Sequence, residues 1–286
     1  MAKTETTKPT TATREAGMMC CTGIQGVGKT YQNMHIIKDY VKDKFYNKVK
    51  GRKCLILDTN GEYTASQFER NDVGAFKPKL LALRDIGEWS KSSVAECRRI
   101  DMKNVSLKDK KDIIEYVIRY FRNGMLVLED INTYILNVTH MEEIVGGLVN
   151  LRHRAVDVLI SYQSLRPVEP RMWQNARWVR MHYQADNVSD IKNKVTNPTL
   201  YKIAQLIVNN RYFNGDKRFY VYIHNFANKI EGKFTKTEFM DACAKFINTN
   251  KTEKKEYKNM HDCSDAEVIK GLSKQYYDQY YGNSNK

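Results

Sequence analysis

The sequence Gly23-Ile24-Gln25-Gly26-Val27-Gly28-Lys29-Thr30 fits the phosphate-binding pattern GxxxxGK[ST] at every fixed position. The short apolar run 18–22 before it predicts a strand, and the spacing of apolar residues after it predicts an amphipathic helix. In such a unit, glycines let consecutive backbone N–H groups turn towards phosphates, and the helix N-terminus adds partial positive charge. Lys29 would neutralise phosphate charge, and the Thr30 hydroxyl would bind Mg²⁺. All eight residues are therefore predicted to bind a nucleotide.

Two further apolar runs of the sequence end in acidic residues. One leads into Asp58, with Glu62 four residues later, and the other leads into Glu129-Asp130. Continuous apolar runs are typical of central strands in a parallel sheet, whose carboxyl ends face the ligand crevice. We therefore expect Asp58 and Glu62 to contribute to nucleotide binding. Asp58 is also the residue type that opens a tight turn before Asn-Gly, and both interpretations can hold together.

The acid pair is the usual companion of a phosphate loop. One carboxylate holds Mg²⁺ through its water shell, and its neighbour orients the attacking water. Position favours Glu129 on the metal side, together with Thr30, and Asp130 as the base. The reverse assignment stays open, because a strand end cannot be located to one residue from sequence. ATP and Mg²⁺ are the expected ligands.

The composition excludes several classes of protein. With 42% hydrophobic residues the chain can form a packed core, and no apolar run approaches the roughly 18 residues of a membrane span. The first 17 residues lack the apolar stretch of a secretory signal. The six cysteines have neither metal nor disulfide spacing, which favours a reducing, cytoplasmic setting.

The net charge of +14 suggests a polyanionic partner, nucleic acid first. Residues 229–286 hold eleven lysines against nine acidic residues, so most of the excess positive charge belongs to residues 1–228. A generally basic composition without such a partner is the alternative.

The order of predicted elements indicates an α/β fold with a mainly parallel sheet flanked by helices. We expect a disordered tail at 1–16, one ATPase domain at 17–228 and a charged helical extension at 229–286. The pattern around Asn214-Gly215 predicts a hairpin of strands 211–213 and 218–223. In the extension, helices are predicted at 237–247 and 266–277, separated by the lysine/glutamate run 251–258. The run of Tyr276, Tyr277, Tyr280 and Tyr281 is interpreted as helix packing or an adhesive tail, with base stacking as the alternative.

Together the motifs resemble the HerA/FtsK superfamily of P-loop ATPases that translocate DNA. The resemblance lies in residues 23–30, in Leu-Asp-Thr-Asn-Gly-Glu-Tyr at 57–63, in the acid pair and in Gln163 at the end of a predicted strand. The segment from Arg152-His153-Arg154 through Gln163 and Pro167 to 175–180 also follows the order of the family. The resemblance covers roughly residues 18–190. Two features depart from the pattern, since cellular members show Asp-Glu at the acid pair, and neither the N-terminal barrel of HerA nor the membrane part of FtsK is found here.

The resemblance implies a ring, usually a hexamer, that threads double-stranded DNA and hydrolyses ATP at subunit boundaries. Gln163 would lie beside the γ-phosphate, where it could report hydrolysis. Arg152 or Arg154 would be the trans-acting arginine that completes a neighbour's site. Surface ion pairs or DNA-phosphate contacts are the alternative for both arginines.

Small single-domain members of the superfamily are typically viral genome-packaging ATPases. The resemblance therefore implies a packaging motor in the host cytoplasm or the virion, with capsid-vertex or virion-membrane proteins as further partners. Three alternatives remain: a HerA-like ATPase in DNA processing or transfer, a P-loop small-molecule kinase, and a nucleotide-gated binding module.

Overall fold

A computed structural model describes residues 15–43, 50–74, 76–131 and 138–282, so the predicted tail lies outside the described residues except for its last two positions. Nine strands in these ranges form one sheet. The strands are β1 (Met18–Thr22), β2 (Lys53–Asp58), β3 (Lys79–Leu80), β4 (Cys97–Asp101), β5 (Gly124–Leu128), β6 (Val156–Tyr162), β7 (Ala176–His182), β8 (Tyr220–His224) and β9 (Lys229–Gly232). The α-helices are α1 (Lys29–Val41), α2 (Ala65–Arg70), α3 (Ile86–Lys91), α4 (Leu107–Tyr120), α5 (Val138–Asn150), α6 (Pro170–Asn175), α7 (Pro198–Phe213), α8 (Lys236–Thr249), α9 (Lys251–His261) and α10 (Asp265–Tyr280).

The sheet is parallel over most of its width. Its strand order is β3-β4-β2-β5-β6-β1-β7-β8-β9. Every neighbouring pair from β3 to β7 is parallel, whereas β7–β8 and β8–β9 are antiparallel. Parallel neighbours need crossover connections, which helices supply here. The predicted α/β fold with a mainly parallel sheet flanked by helices is confirmed.

Helices cover both faces of the sheet, because side chains along a strand point alternately to its two sides. In β5, Met125 and Val127 pack in the cluster that contains α1. Leu126 and Leu128 belong to the larger core on the other face, which includes residues of α4, α5 and α7. This double burial explains why the central strands are continuous apolar runs in the sequence.

The central parallel strands end at one edge of the sheet. Leu57 of β2 is paired with Leu128 of β5, which is paired with Ile160 of β6. In the same way, Thr22 of β1 is paired with Tyr162 of β6. The segments that follow these four strands therefore meet, and they hold the phosphate loop and the acidic residues.

The hairpin predicted around Asn214-Gly215 is wrong. Residues 211–213 are the last turn of α7, and Gly215, with φ 102°, follows the end of that helix. Glycine is favoured just beyond a helix C-terminus for the same reason as in a hairpin turn, since both positions need positive φ. The actual hairpin joins β8 to β9. The expected domain boundary after Asn228 lies between the turn of this hairpin and β9, and the sheet continues to Gly232.

The C-terminal helices pack on the sheet domain. The lysine/glutamate run 251–258 lies within α9, where a connection between helices was expected. Tyr276 and Tyr280 of α10 are buried and stack with ring centroids 5.8 Å apart, so the packing interpretation of these tyrosines is confirmed. None of the helices in the described ranges is long and apolar enough to cross a membrane.

Candidate functional site

The phosphate loop connects β1 to α1 in a conformation that requires glycine. Gly26 and Gly28 have φ of 84° and 87°, in the left-handed region. At Gly23, a Cβ would lie 2.7 Å from the Cβ of His182 in β7, so a side chain cannot fit without movement. The backbone N–H of Ile24 is held by the carbonyl of Tyr183 at 3.0 Å. The end of β7 and the residue that follows it therefore pack against the phosphate loop and hold it in place.

Lys29 lies inside the loop that it belongs to. Its Nζ donates to the carbonyl oxygens of Gly23 at 2.6 Å and Ile24 at 2.8 Å. Burial lowers the pKa of Lys29, while the carboxylates of Glu129, Asp130 and Glu62 act in the opposite direction. The cation is thus held where a bound phosphate would compete for it.

Most of the residues expected to act on the nucleotide meet in one cavity of about 550 Å³. We call it the phosphate-loop cavity, and it is lined by Gln25, Gly26, Gly28, Lys29, Thr30, Tyr31, Asn60, Glu62, Asn71, Glu129, Asp130, Ser161, Tyr162, Gln163 and Arg218. Three carboxylates and two cations, Lys29 and Arg218, belong to this lining. The balance is therefore negative before any phosphate enters.

Thr30 and Glu62 are joined directly. The Thr30 Oγ1 donates to Glu62 Oε2 at 2.9 Å. Glu62 comes from the turn after β2, whereas Thr30 is in the first turn of α1. The fold thus places a hydroxyl and a carboxylate oxygen side by side, as hard cations prefer.

The side chain of Asp58 does not line the phosphate-loop cavity. Its carboxylate is buried and accepts the backbone N–H groups of Glu62 at 2.9 Å and Tyr63 at 3.1 Å. Arg99 donates to the same carboxylate at 3.3 Å. Burial raises the pKa of Asp58, and these donors oppose the rise. The turn interpretation is the one this geometry supports, since Asp58 shapes the turn that presents Glu62.

Glu129 is buried in a network of uncharged donors. Its Oε1 accepts from Asn33 Nδ2 at 2.7 Å and from the hydroxyl of Tyr63, and Ser161 also donates to the carboxylate. Burial raises the pKa of Glu129, while these donors lower it. The network fixes the orientation of the carboxylate and partly offsets the cost of ionising it away from water.

Asp130 and Gln163 form a second, more open pair. Gln163 Nε2 donates to Asp130 Oδ2 at 2.8 Å, so the ends of β5 and β6 are linked across the cavity. Asp130 has φ of 49°, an uncommon conformation for a residue other than glycine. The left-handed turn separates the two acids, so that Glu129 points into the protein and Asp130 lies at the cavity surface.

The two candidate trans-acting arginines lie at the opposite edge of the sheet. They precede β6, whereas the phosphate loop follows β1, and these strands are parallel. Arg154 donates to the carbonyl oxygens of Ile118 and, at 2.8 Å, Arg119 near the end of α4. Arg152 is exposed. The fold does not bring either arginine to the cavity of its own chain.

Three side chains of the site were missed in the sequence. Asn33 is four residues after Lys29, on the same face of α1, and its Oδ1 accepts from the buried Arg180 of β7. A polar residue on the apolar face of the helix was the available signal. Arg180 also donates to the carbonyl oxygen of Lys29 at 3.0 Å. Arg218 had no signal, because only the fold brings its turn to the loop.

Comparison with known proteins gives a likeness in structure only. No protein-family model and no curated protein sequence matches this chain. The genome packaging NTPase B204 from Sulfolobus turreted icosahedral virus 2, in complex with AMPPCP, aligns with a TM-score of 0.50 and 13% sequence identity, over 77% of this chain and 98% of that chain. This chain has the fold of that packaging NTPase. The predicted P-loop NTPase architecture, and the resemblance to viral packaging ATPases at the level of fold, are thereby confirmed.

Two further solved structures are less similar. The complex of B204 with AMP aligns with a TM-score of 0.49 and 13% identity, over 77% of this chain and 98% of that chain. The N-terminal domain of zonular occludens toxin from Neisseria meningitidis aligns with a TM-score of 0.34 and 12% identity, over 58% of this chain and 76% of that chain.

Proposed function

We propose that this chain hydrolyses ATP to ADP and phosphate and uses the reaction to translocate double-stranded DNA, as a viral genome-packaging motor. The observation that carries the ATPase proposal is the phosphate-loop cavity, in which Lys29, Thr30 and the carboxylates of Glu62, Glu129 and Asp130 meet. That combination of a phosphate cradle and acidic strand ends serves nucleotide hydrolysis.

The donor set fits Mg²⁺. The Thr30 hydroxyl, Glu62 and Glu129 offer the hard oxygen ligands that this cation takes, with Glu129 acting through the water shell. The excess of carboxylates over cations in the cavity means that a triphosphate needs an added cation to enter. When bound, Mg²⁺ would neutralise charge on the phosphate oxygens.

Residues of the chain would bind the phosphates, orient the attacking water and position the carboxylates. Lys29 and the backbone N–H groups of the loop bind the phosphates. Asp130 orients the attacking water and accepts its proton, and Gln163, which donates to Asp130 at 2.8 Å, holds that carboxylate near the γ-phosphate. Glu129, fixed by its buried donors, keeps the metal side of the site in place.

The motor proposal depends on charge and on the shared fold. The net charge of +14 suits a polyanion such as duplex DNA. A protein of the same fold is a genome packaging NTPase. We propose a homo-oligomeric ring, most simply a hexamer, in which an arginine before β6 completes the site of a neighbouring copy, with capsid-vertex or virion-membrane proteins as further partners.

ATP turnover with and without duplex DNA tests the proposal. We expect a weak basal rate that rises with duplex DNA and falls again as salt screens the contact. Lys29→Ala should abolish turnover, and Asp130→Asn should retain ATP binding while stopping hydrolysis. A rate that duplex DNA leaves unchanged at every salt concentration would refute the motor, and transfer of phosphate to a small acceptor would instead indicate a kinase.

A further inference from the structure

Arg218 lies beside the phosphate loop although almost 190 residues separate them in sequence. It belongs to the turn between α7 and β8 and lines the phosphate-loop cavity. Its Cβ, Cγ and Cδ atoms are 3.6–3.8 Å from the point that a Cβ of Gly28 would occupy. Its guanidinium carbon is 5.8 Å from the centroid of the Tyr31 ring. The side chain therefore packs along the N-terminus of α1.

The charge of Arg218 has no carboxylate partner among the residues that the structure describes. By contrast, Arg211 in the preceding helix pairs with Glu238 at 2.6 Å. Arg218 is exposed, so its guanidinium can reorient towards an anion in the cavity. An arginine that is packed along its stem but unpaired at its head is suited to a ligand that carries negative charge.

Helix geometry separates Arg218 from the hydrolytic residues. Successive residues of an α-helix are rotated by about 100°, so Tyr31 and Asn33 point to opposite faces of α1. Asn33 contacts Glu129 on the sheet side. Tyr31, and with it Arg218, therefore lies on the other side of the helix N-terminus from Glu129.

We propose that Arg218 binds, within its own chain, phosphate oxygens that ADP and ATP share, with Tyr31 orienting the guanidinium. This proposal rests on the proposed function. A phosphate at the N-terminus of α1 meets the backbone N–H groups there, and the planar fork of an arginine alongside Gly28 supplies two further donors. A Cβ at Gly28 would be in ordinary van der Waals contact with the arginine stem, which shows how closely the stem follows the loop.

The expected effect of removing the Arg218 side chain is a loss of nucleotide affinity. Loss of a charge-assisted contact should weaken nucleotide binding about 10-fold or more. The loss of affinity should be similar for ADP and for AMPPCP, because Arg218 would contact phosphates that both ligands have and not the γ-phosphate.

Calorimetric titration of the full-length chain with ADP and with AMPPCP, in the presence of Mg²⁺, tests this assignment. Arg218→Ala is compared with Lys217→Ala, which removes the same charge from the same turn. Lys217 does not line the described cavity, and its Nζ lies 4.0 Å from the centroid of the Tyr212 ring. Lys29→Ala is the reference for a disabled loop, and thermal unfolding verifies that each variant is folded.

The proposal predicts a weakening of both ligands in Arg218→Ala and less than a twofold change in Lys217→Ala. Equal affinities of these two variants would overturn it. A loss confined to AMPPCP would overturn it too, because the contact would then lie on the γ-phosphate. If Lys29→Ala binds as the wild type does, the proposed function itself fails, whatever Arg218→Ala shows.

Discussion

Replacing Tyr63 by phenylalanine removes one donor from the buried Glu129 and one acceptor, at 3.3 Å, from Asn33 Nδ2, which keeps two others. The hydroxyl of Tyr63 donates to Glu129 Oε1, and the ring is fully buried against Phe68 with centroids 6.2 Å apart. Phenylalanine keeps that ring contact. Burial and the neighbouring carboxylate raise the pKa of Tyr63 well above its ordinary value, so the phenol remains a donor throughout the accessible pH range.

The size of the effect depends on the charge of Glu129. A hydrogen bond to an ionised group contributes about 1.5–3 kcal/mol. Burial already raises the pKa of Glu129, and loss of the Tyr63 donor would raise it further. Above the folded-state pKa the carboxylate is ionised, and Tyr63→Phe lowers the free energy of unfolding by the full contribution of this hydrogen bond. Below the unfolded value of 4.5 the group is protonated in both states, and Tyr63→Phe then removes only a hydrogen bond between neutral groups, which contributes less.

Urea unfolding of the two proteins at pH 8 and pH 5, without nucleotide or Mg²⁺, measures this dependence. We expect Tyr63→Phe to lower the free energy of unfolding by about 1.5–3 kcal/mol at pH 8 and by clearly less at pH 5. Tyr201→Phe is the control, because that buried hydroxyl donates to the neutral amide of Asn225 at 2.8 Å and its loss should not vary with pH. The same loss at both pH values for Tyr63→Phe would refute the proposed support of an ionised Glu129.

Three further predictions concern other parts of the fold. Lys53→Met should lower the free energy of unfolding by about 1–3 kcal/mol, because the buried Nζ donates to carbonyl oxygens at the end of α3. The control Lys91→Met removes an exposed lysine and should change the free energy of unfolding little. Equal losses in the two variants would contradict this prediction. Gly23→Ala should abolish ATP binding in a folded protein, since the new Cβ would meet His182, and wild-type affinity would count against it. A thiol reagent should label one cysteine quickly, Cys263, because the other five are buried; fast labelling of two or more would show the packing to be wrong.

Much of the site could be predicted because its signals are local. The phosphate loop is contiguous in sequence, and the acid pair directly follows a strand that is apolar on both faces. Of the residues predicted near the strand ends, Glu62, Glu129, Asp130 and Gln163 line one cavity with Lys29 and Thr30, as expected for a parallel sheet. The prediction failed at Asn214-Gly215, because this dipeptide is typical both of a hairpin turn and of the end of a helix.

Asp58 illustrates a different limit of sequence reasoning. An acid at the end of a parallel strand can face the ligand or close the turn that follows, and the residue type is the same in both cases. Only the hydrogen bonds of the folded chain distinguish them, and these use the Asp58 carboxylate for the backbone of Glu62 and Tyr63. Asn33 and Arg218 depend still more on tertiary structure, because their partners come from distant parts of the chain.

The contacts of the two arginines before β6 narrow the search for a trans-acting residue. Arg154 is engaged with carbonyl oxygens near the end of α4, so its removal should cost stability as well as any activity. Arg152 is exposed and can reach a neighbouring copy without giving up such contacts. To test the proposed ring, Arg152→Ala subunits should therefore be mixed with Lys29→Ala subunits, each expected to be inactive alone. If the active site is shared, some boundaries in the mixture regain both residues and ATP turnover returns; no recovery would leave Arg154, or a site completed within one chain.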